Sequence, residues 1–322
     1  MMIIYSILAA VIPISIYLFL IWKLDKFEPE PLSLLLKYFL FGAFGATSIS
    51  LIISLIVYNS FSVNNFTDLQ IDIITNAIGP AIIEEFAKGI FLIFIFRNKQ
   101  FDNFTDGLVY GGAIGLGFAM SENFLYYFSE SHFNSWIYLV LIRTVFTSLM
   151  HCISTAILGA TFAKVKFSNF KGKFIFALLG IFSAISIHFY WNVRLTLDYN
   201  FFATLLYMFL VIVFYFLIFN LSVKEERKII FKYLKNESFI NILNFNILQI
   251  ISSKKTWDNK YRKHLNKTQI NIIELATKLA FRKFQSNHSN AKRKKNYEND
   301  IHKIKNKINT LINNSETDNE NY

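Results

Sequence analysis

Apolar residues gather into seven long runs over the first two thirds of the chain. They lie at about 2–22, 33–58, 73–96, 107–128, 136–163, 173–194 and 200–222. Each run approaches or exceeds the ~20 residues that an α-helix needs to cross the hydrocarbon core of a bilayer. The pattern predicts an all-α, polytopic bundle of seven transmembrane helices. The polar connections between the runs set its orientation. Lys23 and Lys26 follow the first run, and the 59–72 connection has no basic residue. Arg97 and Lys99 follow the third run, and 129–135 again has none. Lys164, Lys166, Lys171 and Lys173 flank the next connection, and 195–199 has none. Basic and non-basic connections alternate without a break, so the positive-inside rule places the N-terminus outside and the C-terminal tail in the cytoplasm. The first run has no basic residue ahead of it and Lys23 behind it, which reads as a retained helix rather than a cleaved leader.

Charge divides the chain a second way. Of 322 residues, 53% are hydrophobic and 17% charged, against roughly 25% charged in soluble domains. The net charge is +11. Residues 223–322 hold 21 Lys/Arg and 10 Asp/Glu, so the remaining 12 and 12 cancel within 1–222. The chain therefore reads as an apolar domain, 1–222, with a basic tail, 223–322. An ordinary soluble enzyme, a collagen and a disulfide scaffold are excluded; the single cysteine, Cys152, has no partner in the chain. In the tail, Ile230 with Leu234, and Phe239 with Ile242 and Leu243, suggest an amphipathic helix over 223–251. Ile270, Ile273, Leu275 and Leu279 suggest a second helix over 265–285. The last stretch, rich in Asn and basic residues (Lys292, Arg293, Lys294 and Lys295), reads as mobile. Under an anionic leaflet each basic residue contributes about 1 kcal/mol of attraction, so anionic lipid headgroups are the expected partner in preference to nucleic acid.

The informative residues are the ionisable ones inside the apolar runs, where a charge costs about 2.5–3.5 kcal/mol. The third run has Glu84, Glu85 and Lys88, and the fourth has Glu122 and Asn123. The fifth has Arg143 and His151, and the sixth has His188 and Asn192. Four consecutive helices contribute, and helical rise puts all of them at or outside the midplane. Glu84 and Lys88 are spaced i,i+4 and share a face, with Glu85 rotated about 100° away. His188 and Asn192 share a face in the same way. Gly111 and Gly115 form a GxxxG, which allows close backbone approach and directs Glu122 towards a neighbouring helix. Such a set suits hydrolysis: a carboxylate as general base on water, and a histidine and an amide at a developing oxyanion. Two His with one or two Glu also suit a zinc shell with an open position. HExxH, GxSG and GxGD motifs are all absent.

These residues resemble the PrsW-type intramembrane proteases, relatives of the CAAX-protease and bacteriocin-processing membrane enzymes. The likeness rests on four segments spanning roughly 20–195. They are the acidic run from Asp25 through Glu28-Pro29-Glu30-Pro31; Glu84-Glu85-Phe-Ala-Lys88; the run from Phe101-Asp102 and Asp106-Gly107 to Glu122-Asn123; and His151 with His188-x-x-x-Asn192. The resemblance implies that Glu84 or Glu85 activates water, tuned by Lys88, with His151 in contact with the water or a metal. It implies that His188 and Asn192 stabilise the oxyanion, with Glu122, Asn123 and Arg143 in support. A metal such as zinc would be held by Glu85, His151 and His188. It further implies cleavage of a membrane-anchored protein, as in anti-sigma-factor processing, at a bacterial-type cytoplasmic membrane. Two other readings stand beside it. A non-catalytic scaffold of the same fold predicts lost motif residues, and a proton-coupled transporter predicts repeated halves; neither feature is visible.

Overall fold

The structure, a computed structural model, describes residues 2–25, 27–60, 66–95, 98, 100–101, 103–167, 172–197, 200–237, 239, 265–289 and 291–320. These residues contain helices and no strand. Lys26, Arg97, Lys99, Asp102, Lys171, Ile242 and Leu243 lie outside them. The helices are α1 (Met2–Leu24), α2 (Leu32–Asn59), α3 (68–95), α4 (Phe104–Ser129), α5 (Phe133–Lys166), α6 (Lys173–Thr196), α7 (Phe201–Leu234), α8 (Lys267–Asn287) and α9 (Ala291–Glu320). Five of them, α1, α2, α5, α6 and α7, are long and apolar enough to cross a membrane. The other two in the apolar region are more polar: α3 carries Glu84, Glu85 and Lys88, and α4 is rich in glycine.

The chain forms two compact units. One comprises Met1–Leu24, Glu30–Lys166 and Phe170–Phe219; the other comprises Asp25–Pro29, Phe167–Asn169 and Asn220–Tyr322. In the first unit α4 is the central element, buried at every residue from Thr105 to Ala119. Its N-terminus is closed by a capping box in which Asn103 and Asp106 bond each other's backbone N–H groups, which satisfies two donors at a buried helix start. Glycine makes its burial possible. A side chain at Gly107, Gly111 or Gly115 would collide with the backbone of Gly159, Thr155 or His151 in α5, and one at Gly117 with Phe39 in α2. The GxxxG expectation is met, and the register is antiparallel, four residues up α4 for four down α5. Large apolar side chains instead point outward on the peripheral helices, as at Phe202 (79% exposed) and Phe174 (71%), which suits a lipid solvent.

Among the described residues, three helices contain a π-helical turn: Phe41–Ala46 in α2, Ile74–Ile78 in α3 and Arg143–Thr147 in α5. Such a turn shifts the backbone hydrogen bonds by one residue. Nearby hydroxyls bond its carbonyls: Thr47 donates to Gly42 O (3.2 Å), Tyr58 to Thr75 O (2.9 Å) and Ser148 to Arg143 O (2.9 Å).

The second unit has its own core. Ile230 and Leu234 from the end of α7 pack with Ile273, Leu279 and Phe281 of α8 and Ile304 and Ile308 of α9, together with Phe27. Apolar positions read as facing lipid are thus buried within the tail itself. The expectation of a mobile last stretch is corrected: Ala291–Glu320 is a continuous helix whose Ile304, Ile308 and Ile312 recur every four residues and pack with α8. Glu237 ties the unit together, bonding Lys283 of α8 and lying 3.0 Å from Lys305 of α9. Burial works against its ionisation, but the bonds from the two lysines prevail and hold its carboxyl below the usual range.

Candidate active site

Every ionisable residue singled out in the apolar runs belongs to one connected cluster. Its closed end is Glu85, which is 2% exposed. One carboxylate oxygen accepts from Lys88 Nζ (2.5 Å), Ser154 Oγ (2.9 Å) and His188 Nδ1 (3.0 Å), and the other accepts from Thr155 Oγ1 (3.4 Å). This corrects the expected pairing. Lys88 bonds Glu85 at i,i+3 rather than Glu84 at i,i+4, and Glu85 turns into the cluster. Lys88 is fully buried, lies 4.7 Å above the Phe118 ring and reaches His151 Nδ1 at 3.1 Å. An ammonium only donates, so that nitrogen accepts, and His151 Nε2–H donates to Glu122 at 2.8 Å.

The same Glu122 oxygen, Oε2, is also met by Arg143 Nη2 at 2.8 Å. Arg143 also donates to Asn123 Oδ1 (3.0 Å), and Asn123 donates to Ser148 Oγ (2.9 Å). The π turn starting at Arg143 brings Arg143 and Ser148 to one side of α5. The guanidinium stacks on Tyr126, 3.7 Å from the ring centre.

Glu84 forms the open end. Its Oε2 is buried with no hydrogen-bond partner, 3.7 Å from His188 Nε2 and 4.0 Å from His151 Nδ1. It lines a cavity of about 450 Å³ shared with Glu122, His151 and Asn192. The two imidazoles meet edge to face, 4.8 Å apart. The remaining lining comes from the early part of α3, the end of α4, the first half of α5, the end of α6 and the start of α7. In an up-and-down bundle these all lie at one end, so the cavity belongs to that end.

Glu84, His151 and His188 each offer a ligand atom, all within 4.8 Å of one another. Ligand atoms about 2.0–2.2 Å from a tetrahedral zinc stand roughly 3.4 Å apart, so this donor set fits in type and, with slight contraction, in spacing. The carboxylate facing both histidines is Glu84. Glu85, expected as a ligand, is instead the group that orients His188 through Nδ1, as outer carboxylates do behind metal-binding histidines. An ion here would have to displace Lys88 from His151 Nδ1. Sequence reasoning did not find Ser154 and Thr155. Their only signal was position, one turn below His151 on the helix that carries it.

A membrane-type helical body with buried carboxylates and imidazoles meeting at a cavity suits a membrane-embedded hydrolase. Comparison with known proteins agrees. The model of the PrsW family of intramembrane metalloproteases matches residues 30–219. A Protease PrsW of Clostridioides difficile (strain 630) is 31% identical over 210 residues, 64% of this chain and 85% of the relative. A second, from Oceanobacillus iheyensis, is 32% identical over 167 residues, 51% of this chain and 72% of the relative. No solved structure matches significantly. The chain belongs to the PrsW family, a family of membrane proteases.

Proposed function

We propose that the protein is an intramembrane endopeptidase that cuts a membrane-anchored protein, as in anti-sigma-factor processing, near the outer face of a bacterial-type cytoplasmic membrane. In this reading all seven helices α1–α7 span the bilayer, with the N-terminus outside and the tail in the cytoplasm. Exposed Ile82, Phe86, Ile93 and Phe94 give α3 a lipid-facing stripe despite its charges. The basic residues of the tail meet anionic headgroups.

Glu84 carries the reading: it lines the cavity, and its Oε2 is buried without a hydrogen-bond partner beside both imidazoles. It takes the proton of a water that attacks the scissile carbonyl, and returns it to the leaving amine. Asn192 donates to the oxyanion, and so does His188 Nε2 when the ring is the imidazolium, its Nδ1–H staying on Glu85. His151 is fixed against this water by Lys88 and Glu122. Glu85 sets the angle of His188 and balances the charge of Lys88. A divalent ion held by Glu84, His151 and His188 would supply Lewis-acid polarisation of the water.

Glu84→Ala tests the reading. The variant should insert and fold as the parent does, while a full-length membrane protein that the parent trims accumulates in the membrane proteome. Unchanged cleavage by this variant would overturn the assignment.

A further inference from the structure

Water attack is half of the problem that this site faces. A transmembrane helix must open before its backbone can be cut, and each peptide N–H and C=O released inside a membrane costs several kcal/mol unless a partner receives it. The cavity must therefore supply hydrogen bonds to substrate backbone beyond those at the scissile bond. Most of its polar lining is already engaged. Thr75 and Thr196 donate to carbonyls of their own helices, Thr204 donates to that of Asn200 just before α7, and Thr147 accepts from Trp191. Glu122 pairs with Arg143 and His151. Among the described residues, two lining carboxamides make no side-chain hydrogen bond: Asn192, assigned above, and Asn76. A carboxamide offers two donors and an acceptor carbonyl, the complement of one residue's C=O and N–H in an extended chain.

We infer that Asn76 is a substrate-binding residue that hydrogen-bonds the backbone of the opened, extended substrate three to four residues from the scissile bond; the inference rests on the protease reading above. Asn76 lies eight residues before Glu84 on the same helix, about 12 Å along its axis. An extended chain rises about 3.3 Å per residue, which gives the three-to-four-residue offset. Asn76 is exposed into the cavity, and it sits in the π turn Ile74–Ile78. Tyr58 bonds the Thr75 carbonyl beside it, so the turn is held while the amide stays available. Selection by such a residue is for backbone that can unwind. Substrates should carry helix-weakening residues near the cut and show little demand on side chains at this subsite.

The test uses the full-length protein. Profiling of new N-termini in membranes of cells with the parent and with Glu84→Ala identifies a membrane protein whose cleavage requires Glu84. That protein, purified in detergent, is the probe. Asn76→Ala should raise KM about tenfold, the loss of two ordinary hydrogen bonds, with kcat within about twofold. Asn76→Gln should recover part of the loss. A synthetic substrate peptide N-methylated three or four residues from the cut should bind the parent more weakly but Asn76→Ala no worse than the unmethylated peptide. An unchanged KM in both Asn76 variants, with cleavage still dependent on Glu84, overturns this inference alone. Cleavage that persists throughout in Glu84→Ala overturns the protease reading and takes this inference with it.

Discussion

The two sides of the first unit are built on opposite principles. Around α4, glycines bring the backbones of α2 and α5 into contact and leave no room even for a methyl group at Gly42, Gly111, Gly115 or Gly117. Between α3, α6 and the start of α7, the helices separate and leave about 450 Å³ lined by polar groups. The polar cluster spans both sides. Glu85 is anchored on the closed side by Ser154 and Thr155, and the Thr155 carbonyl is itself pressed against Gly111. Glu84 and Asn192 face the open side. The difference separates position from access. The closed side fixes where the charges lie, through sterics that tolerate no adjustment. The open side leaves one carboxylate and two amides uncommitted, which is what a reaction needs.

Replacing the two glutamates in turn sharpens this comparison most. Glu84→Gln should cost about 10²–10⁴-fold in cleavage with little change in stability, because its oxygen has no bond to lose. Glu85→Gln should instead cost roughly 3–5 kcal/mol of stability, because it leaves a fully buried Lys88 unpaired. Thermal unfolding in detergent beside a cleavage assay separates the two, and equal behaviour of the pair would break the distinction. Gly115→Val should come next. Its side chain would meet the His151 carbonyl, so α4 and α5 must part, at about 1–3 kcal/mol, with lost activity through displacement of His151. A Val here that leaves melting and activity intact would show that the closed side yields.

The smallest effect belongs to the tail, where position is fixed by charge rather than sterics. The folded carboxyl of Glu237 is held below its ordinary value of 4.5, so ionisation favours the folded unit. That contribution is fully present above the ordinary value and is lost as pH falls through the folded one. Acid unfolding of α8 and α9, followed by helical circular dichroism, should therefore be less steep below about pH 4.5 in Glu237→Gln than in the parent.

Much of this was legible in the sequence, for physical reasons that can be named. Charges inside apolar runs are expensive, so Glu84, Glu85, Lys88, His151 and His188 stood out, and glycines spaced by four announced the α4 seam. What was hidden came from tertiary choice. Helical spacing allowed Lys88 to pair with either glutamate, and only the placement of His188, Ser154 and Thr155 decided for Glu85. Serine and threonine in an apolar run carry no signal, because they cost little there with or without a partner. The tail misled by composition. Lys and Asn in 291–320 suggested mobility, while Ile304, Ile308 and Ile312 already had the spacing of a packed helix. The three π turns left no pattern that a period of 3.6 residues reveals.

Those turns have a consequence for how the family can vary. A π turn is an α-helix with one residue too many, so everything beyond it is rotated by about 100° relative to what precedes it. In α5 the turn separates the segment bearing Tyr138 and Leu139, at the cavity rim, from the segment bearing His151 and Ser154. A one-residue deletion within Arg143–Thr147 would restore a regular helix and swing the Tyr138–Leu139 segment around the half bearing His151 and Ser154. The two segments are thus indexed separately along one continuous helix, and the length of a five-residue segment sets how the Tyr138 side of the cavity is turned relative to His151.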